Sequence, residues 1–241
     1  MASKRRGQQS FEFRTWGGRR KGAGRPPKGT RPSEPHKLRL RFSRPTPVHV
    51  TLRVIASIPT LRRPDAYHAI RHSMYAVVER ADFRIVHISI ERDHLHLIVE
   101  ADDQESLWRG VRAFESSAAQ RLNHAISIAT GARRTGKVFA DRYHARLITS
   151  PTQARNSLAY VLNNFRRHGY DRGMETMFWD VDYYSSGPSF EGWAELDDSP
   201  FLTPTPDYPR LSVCRPKTWL LKAGWRRAGP IRMRDIPGPV H

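Results

Sequence analysis

Two histidines stand two residues apart in the stretch 91–100, in the pattern His94-Leu95-His96. On a β-strand, side chains at alternate positions share one face, so both imidazoles are expected on the same side of a sheet. Neutral imidazoles at this spacing can share one divalent ion and leave other positions open for phosphate oxygens and water. The same pattern also occurs on exposed polar strands that bind no metal, and this stretch alone leaves both interpretations open.

A tyrosine and an asparagine lie one turn apart on a helix that the sequence predicts between Ser150 and Gly169. The packing face of this helix is formed by apolar residues that fall within about 100° of one another: Leu158, Val161, Leu162 and Phe165. Tyr160 and Asn164 point close to the opposite side. Tyr160 is therefore a surface residue, a residue packed against another element, or a nucleophile.

The charge of the chain indicates the kind of partner. Lys and Arg number 41 against 23 acidic residues, which gives a net charge of +18 and favours a polyanion such as nucleic acid. Residues 1–45 hold 14 of the basic side chains and only two acidic ones, without helical or strand periodicity, so we expect a disordered basic tail.

A short motif within this tail suggests a DNA contact. Residues 22–29 resemble an AT-hook, whose extended Gly-Arg-Pro core lies in the minor groove of A·T-rich DNA. Arg25 and Lys28 would make the contacts. The alternative is a basic linker that meets phosphates without sequence preference.

The single cysteine, Cys214, excludes an internal disulfide and a multi-cysteine zinc site. The sequence has no run of 18 apolar residues and no apolar N-terminal signal segment. We therefore expect a cytoplasmic, nucleoid-associated protein without a membrane partner. The 241 residues suit one folded domain with extensions.

Hydrophobic periodicity predicts the elements that position the histidines and the tyrosine. In the second strand, Val86, Ile88 and Ile90 are expected to face the core. Asp102 and its neighbours resemble a capping box at the start of the second helix. The predicted strands cover residues 47–54, 83–91, 94–99 and 138–149, and the predicted helices cover 64–80, 102–126 and 151–169.

This order is β-α-β-β-α-β followed by a helix, which predicts an α+β, ferredoxin-like fold: an antiparallel four-stranded sheet with two helices on one face. The other face is free, and the C-terminal catalytic helix is expected to lie there. The predicted domains are the tail 1–45, a catalytic domain 46–170 and an irregular C-terminal extension 171–241, with a short helix near 218–227.

The histidine strand, the stretch Arg142-Tyr143-His144 and the helix 158–169 together resemble the single-tyrosine HUH transposases, particularly the REP-associated tyrosine transposases. The resemblance spans residues 47–170. This sequence lacks the Asn-Pro step common in the REP-associated group, because Asn164 is followed by Phe165.

This resemblance implies a metal-dependent endonuclease and strand transferase that acts in DNA transposition. His94 and His96, with Asn164 as third ligand, would hold Mg²⁺ or Mn²⁺. Tyr160 would attack single-stranded DNA and form a 5′-phosphotyrosine intermediate.

Single-stranded or hairpin DNA is the partner that the resemblance implies, and a homodimer is an open alternative to a single subunit. Two other functions remain: a DNA-binding regulator on the same fold that has lost catalysis, and a replication or conjugation nickase of the wider HUH superfamily. The predicted DNA contacts, besides the tail, are His49, Arg53, Arg142, Tyr143, His144, Arg166 and Arg167.

Overall fold

The structure is a computed structural model of the full chain, and it describes residues 41–140, 142–170, 181–196 and 209–238. The basic motif with Arg25 and Lys28 lies outside the described residues. The described strands are β1 (Thr46–Arg53), β2 (Phe83–Ile90), β3 (His94–Ala101) and β4 (His144–Leu147). The described α-helices are α1 (Pro64–Ser73), α2 (Gln104–Thr130), α3 (Pro151–Arg167) and α4 (Trp219–Lys222).

The four strands form one antiparallel sheet in the order β2-β3-β1-β4. This order confirms the predicted ferredoxin-like α+β fold. Helices α1 and α2 cover one face of the sheet and bury one large apolar cluster against it. We name this the helix-bearing face. The opposite face carries His94 and His96 and is covered by α3, and we name it the site face.

Alternation in β1 and β3 determines which side chains reach each face. Leu95, Leu97 and Val99 lie in the cluster on the helix-bearing face, together with Val50 and Leu52 of β1. The intervening residues of both strands therefore point to the site face. This confirms the predicted orientation of the two histidines.

Strand β2 departs from simple alternation at Val86. Its pairing with β3 shifts between Ile85 and His87, so Val86 is an extra residue in the strand. The prediction that Val86 shares a face with Ile88 and Ile90 is wrong, because only the latter two pack on the helix-bearing face. A β-bulge turns two consecutive side chains to the same side, which explains the change.

The bounds of β4 and α1 also differ from the prediction. Strand β4 spans only His144–Leu147, and its predicted start at residues 138–139 forms only an isolated bridge from Phe139 to Val54. Helix α1 ends at Ser73 and continues as one 3₁₀ turn, because Val77 leaves the helical conformation at φ −129°.

Helix α2 begins with a single cap in place of a capping box. The side chain of Asp103 accepts a hydrogen bond from the backbone N–H of Ser106 at 2.7 Å. The helix runs beyond the predicted end to Thr130, where Gly131 takes the left-handed conformation that ends many helices.

Most of the described C-terminal extension packs on the site face, whereas Leu211 joins the apolar cluster on the helix-bearing face. Tyr184 and Ser186 add to the free edge of β2, through backbone hydrogen bonds of 2.8 Å to Ile90 and Ile88. An apolar cluster joins this segment to α3, and its C-terminal members are Val181, Phe190, Trp193, Leu221, Trp225, Ile231 and Met233. The division of the chain into domains stays a prediction. Across the described ranges, no helix has the length and apolar character needed to cross a membrane.

Candidate active site

The imidazoles of His94 and His96 face each other, with their Nε2 atoms 3.0 Å apart. Nδ1 of His94 lies 2.7 Å from a carboxylate oxygen of Asp93. Nδ1 of His96 lies 3.2 Å from both Nε2 of His49 and the hydroxyl of Thr51. Partners at both Nδ1 atoms favour the tautomers that keep a lone pair on each Nε2. The two lone pairs then converge on the same point.

The spacing of the two Nε2 atoms suits a shared cation. Two ligand atoms at right angles around an ion, with bonds of about 2.1 Å, lie about 3.0 Å apart. Across the described ranges, no three His, Cys, Asp or Glu side chains form a group that could hold a metal. A metal at this point would therefore need neutral ligands such as an amide in addition to the two histidines.

Helix α3 crosses directly over this pair. The ring of Tyr160 lies edge-on to His96, with ring centres 5.0 Å apart, and 5.8 Å from His49. Two turns later, the ring of His168 lies 6.0 Å from that of His94. Tyr160 thus meets the histidines of its own chain.

Asn164 lies between Tyr160 and His168 on the same side of α3, because positions i, i+4 and i+8 share one helix face. Its side chain is fully buried, and neither amide atom has a hydrogen-bond partner among the described residues. An unsatisfied buried amide is unfavourable unless a polar partner meets it. Its oxygen is thus a suitable third ligand beside the two histidines.

The start of α3 follows from its sequence. The hydroxyl of Ser150 accepts a hydrogen bond from the backbone N–H of Gln153 at 3.2 Å, and Pro151 occupies the first turn. Both features are typical of helix N-termini and confirm the predicted start of α3.

The outer side of α3 is held by residues 230–237, which we name the C-terminal strap. Backbone carbonyls of the strap accept hydrogen bonds from three α3 side chains, at 2.8 Å each: Arg155 to Pro230, Asn163 to Arg232 and Arg166 to Met233. Because these contacts occur along the whole helix, they fix its position over the histidines.

A partly buried arginine, Arg62, fixes the chain where α3 ends. The guanidinium of Arg62 binds both carboxylate oxygens of Asp182 at 2.7 and 2.8 Å. It also lies between the rings of Tyr170 and Tyr184, 4.5 and 4.6 Å from their centres. Bidentate pairing and stacking on aromatic rings are both typical of arginine.

Burial keeps His49 and His96 neutral. Burial, together with the charges of His144 and Arg146, lowers the pKa of His49 to about 4. Burial also lowers the pKa of His96 well below its usual value. Neutral imidazoles can ligate metal without first losing a proton.

The hydroxyl of Tyr160 keeps its proton in the resting site. Burial raises the pKa of Tyr160, the positive charge of Arg167 lowers it, and the carboxylate of Glu91 raises it further. The phenol must therefore lose its proton when it reacts, and a nearby positive charge favours that loss.

Several predicted DNA contacts border the site. His144 and the half-buried Arg146 pair with Thr51 and His49 across the sheet and so point to the site face. Arg53 forms an exposed ion pair with Asp93 at 2.9 Å.

Four further predicted contacts have different surroundings. Arg142 is exposed, whereas Tyr143 is partly buried against the cluster on the helix-bearing face, away from the histidines. Arg166 donates to the strap, and Arg167 is exposed with its guanidinium 5.8 Å from the ring centre of Tyr160. Their roles in DNA binding stay predictions.

Four site residues were missed by sequence reasoning as functional candidates: Asp93, Thr51, Glu91 and Arg146. Asp93 directly precedes His94, and Arg146 alternates with His144, so both carried a local signal. For Thr51 and Glu91, the only signal was strand alternation. Alternation indicates which face of the sheet a side chain is on but not which residues it contacts.

Residues 46–164 match the family described as "Transposase IS200 like" and form a transposase domain of that family. This match supports a transposase role.

Solved structures with a similar fold include a REP-associated tyrosine transposase bound to a REP hairpin, at 17% identity and a TM-score of 0.42, covering 57% of this chain and 76% of that chain. A candidate transposase from Deinococcus radiodurans matches at 12% identity and a TM-score of 0.36, covering 58% of this chain and 97% of that chain. A search of curated protein sequences finds no significant match. The family assignment rests on the sequence match over residues 46–164.

Proposed function

We propose that this protein cleaves and rejoins single-stranded or hairpin DNA during transposition, through a covalent 5′-phosphotyrosine on Tyr160. The observation that carries the proposal is the position of Tyr160, whose ring lies 5.0 Å from that of His96 while the Nε2 atoms of His94 and His96 converge. Nucleophile and phosphate-binding groups would thus meet on one face of the sheet.

His94, His96 and the amide oxygen of Asn164 would hold Mg²⁺ or Mn²⁺, as the converging lone pairs and the unsatisfied buried amide suggest. When bound, the cation supplies positive charge that polarises and orients the scissile phosphate. Asp93 and His49 keep the two imidazoles in the tautomers that expose Nε2.

The chain's own groups carry the displacement. The phenolic oxygen of Tyr160 bonds to phosphorus, and the bond from phosphorus to the 3′ oxygen breaks. The phenol loses its proton and the departing 3′ oxygen gains one, which leaves a free 3′-hydroxyl and a 5′-phosphate joined to the tyrosine. Because the phosphodiester energy is kept, attack by another 3′-hydroxyl rejoins strands without a nucleotide cofactor. The positive charge of Arg167 beside the ring favours the phenolate that develops during attack.

Basic side chains around the site suit the DNA backbone. Arg53, His144 and Arg146 border the histidines on the site face, and Arg142 is exposed nearby in the chain. Lys, Arg and His contacts to phosphates supply affinity without sequence selectivity.

The test is a covalent adduct. Hairpin-bearing single strands, labelled at either the 5′ or the 3′ end, are incubated with the full chain and Mn²⁺, and the protein is separated under denaturing conditions. The 3′ label should stay with the protein, and the 5′ label should leave on a fragment with a free 3′-hydroxyl. Tyr160→Phe removes only the hydroxyl, so DNA binding should survive and the adduct should disappear.

Tyr143→Phe is the matched control, because Tyr143 packs towards the opposite face of the sheet. It should lower the rate of adduct formation at most. An adduct that persists in Tyr160→Phe and is lost in Tyr143→Phe would show that Tyr143, and not Tyr160, is the nucleophile. Strong hairpin binding by the wild type without any adduct would instead identify a DNA-binding protein that has lost catalysis.

A further inference from the structure

Glu91 is a buried acid beside the candidate active site for which the proposed reaction has no role. Its side chain is fully buried at the end of β2. One carboxylate oxygen accepts a hydrogen bond from the hydroxyl of Ser89 at 2.5 Å, and the other has no hydrogen-bond partner among the described residues. A buried carboxylate with a free oxygen is unfavourable unless positive charge lies close to it.

The hairpin between β2 and β3 puts Glu91 next to the histidine pair. Ser89 pairs with His96 across the two strands, and the backbone N–H of Glu91 donates to the carbonyl of His94 at 2.9 Å. Residues opposed in this way have Cβ atoms about 5 Å apart and side chains on the same face. Glu91 is therefore the direct cross-strand neighbour of His94.

The cations that surround Glu91 in this chain do not satisfy it. Arg62 acts on Glu91 electrostatically, but its guanidinium is already paired through two hydrogen bonds with Asp182. The facing groups are Tyr160 of α3 and Tyr170, which follows the end of that helix. Burial raises the pKa of both phenols, and the Glu91 carboxylate raises it further. The second carboxylate oxygen of Glu91 therefore has no hydrogen bond from a cation among the described residues.

We propose that Glu91 is a positioning residue of the metal site, where its carboxylate supplies the negative charge that holds a divalent cation with its water shell. His94, His96 and Asn164 are neutral ligands, whereas hard cations such as Mg²⁺ and Mn²⁺ bind best where carboxylate charge is close. Because no three His, Cys, Asp or Glu side chains of the described ranges converge on one point, Glu91 acts through water and is not a direct ligand. The inference rests on the proposed function only in that the histidine pair binds the cation.

A purely structural role for Glu91 makes the opposite predictions. If Glu91 served only to accept the hydrogen bond from Ser89, then Glu91→Gln would lower stability and leave metal affinity unchanged. If its charge holds the cation, the same variant should be at least as stable without metal, because it removes an unneutralised buried charge. Its gain in stability on adding Mn²⁺ should be lost.

The experiment is a Mn²⁺ titration of the full chain without DNA, followed by the electron paramagnetic resonance signal of free Mn²⁺. Glu91→Gln should raise the Kd about tenfold or more, as expected for the loss of an outer-shell partner. Glu105→Gln is the matched control, since Glu105 is an exposed acid on α2, and its Kd should stay within about twofold of the wild type. Ser89→Ala keeps the charge and should also stay within about twofold.

Thermal unfolding with EDTA and with Mn²⁺ provides the second measurement. Glu91→Gln should match or exceed the wild-type melting temperature in EDTA and gain little from Mn²⁺. The inference is overturned by wild-type Mn²⁺ affinity in Glu91→Gln, by a Glu91→Gln chain that is less stable or does not fold, or by a wild type without a saturable Mn²⁺ site. Since the titration contains no DNA, failure of this inference is separate from failure to form a phosphotyrosine adduct.

Discussion

The two faces of the sheet differ in what they bury. On the helix-bearing face lies an apolar cluster. Its members Leu52, Leu97 and Phe114 are each at most 1% exposed. The site face and the segments that cover it bury polar groups as well: His49, His87, Ser89, Glu91, His94, His96, Asn163, Asn164, Asp182, Ser185 and Ser186.

This difference separates stability from chemistry. Burial of apolar surface on the helix-bearing face stabilises the fold, whereas buried polar groups with unsatisfied atoms on the site face oppose it. Glu91 and Asn164 hold three of these unsatisfied atoms. Substitutions on the helix-bearing face should therefore mainly lower stability. Substitutions on the site face should mainly lower DNA cleavage.

The largest expected effect is on cleavage. The double variant His94→Ala, His96→Ala removes both converging Nε2 atoms, so adduct formation should fall about a thousandfold or more. Circular dichroism and single-strand binding should change little, because neither ring belongs to the apolar cluster. His68→Ala, His72→Ala is the matched control, since this exposed pair lies on α1, and it should cleave at the wild-type rate. Equal loss in both double variants would contradict the ligand assignment.

The next effect is on stability. Phe114→Ala should lower the free energy of unfolding by about 3–5 kcal/mol, because it leaves a cavity in the apolar cluster. Urea unfolding measures this loss, and the Mn²⁺ affinity of the folded fraction should not change. A large change in that affinity would mean that the two faces are coupled.

A smaller effect concerns the partner of His96. His49→Leu removes the acceptor 3.2 Å from His96 Nδ1, so we expect Mn²⁺ affinity to fall about 10- to 100-fold. His49→Gln can still accept a hydrogen bond and should recover most of that loss in the same titration. Thr51→Val tests the second partner of the same nitrogen. If both His49 variants bind Mn²⁺ like the wild type, His49 does not orient His96.

The smallest effect is a pH dependence of stability that comes from His87, on the site face but remote from the histidine pair. Burial lowers the pKa of His87 to about 4, and its ring lies against Ser186 and Phe190. The unfolded chain takes up this proton near pH 6.5, so its contribution to stability is full above pH 6.5 and is lost as the pH falls towards 4. The slope is at most about 1.4 kcal/mol per pH unit.

His87→Gln should flatten that part of the pH profile by about this slope, as measured by urea unfolding at several pH values. His124→Gln on α2 is the control and should keep the wild-type profile. An unchanged profile in His87→Gln would mean that His87 does not contribute to this pH dependence.

Much of the fold was predictable because the strands in the sheet alternate. Strands β1 and β3 each follow a period of two, so their faces, and the shared face of His94 and His96, could be assigned from the sequence. The turn chemistry of Ser150 and Pro151 likewise predicted the start of α3. The bulge at Val86 could not be predicted, because an extra residue in a buried apolar strand leaves no trace in composition.

The surroundings of the candidate site were less predictable, because they come from residues far apart in the chain. Arg62 and Asp182 form their ion pair across 120 positions, and the segments that cover the site face lack periodicity. His49 was predicted as a surface DNA contact, but α3 buries it against His96. Such burial depends on which segments pack over the sheet. Local sequence patterns do not indicate those segments.

The C-terminal strap has a consequence for synthesis of the protein. Its backbone carbonyls accept hydrogen bonds from α3 residues 67 to 75 positions earlier in the chain. A chain leaving the ribosome can form the sheet and α3 well before residues 230–237 emerge, and until then Tyr160 lies on a helix without these supports. We therefore expect the nascent chain to be a poor nuclease, so that DNA cutting begins only once the strap has been translated and has docked.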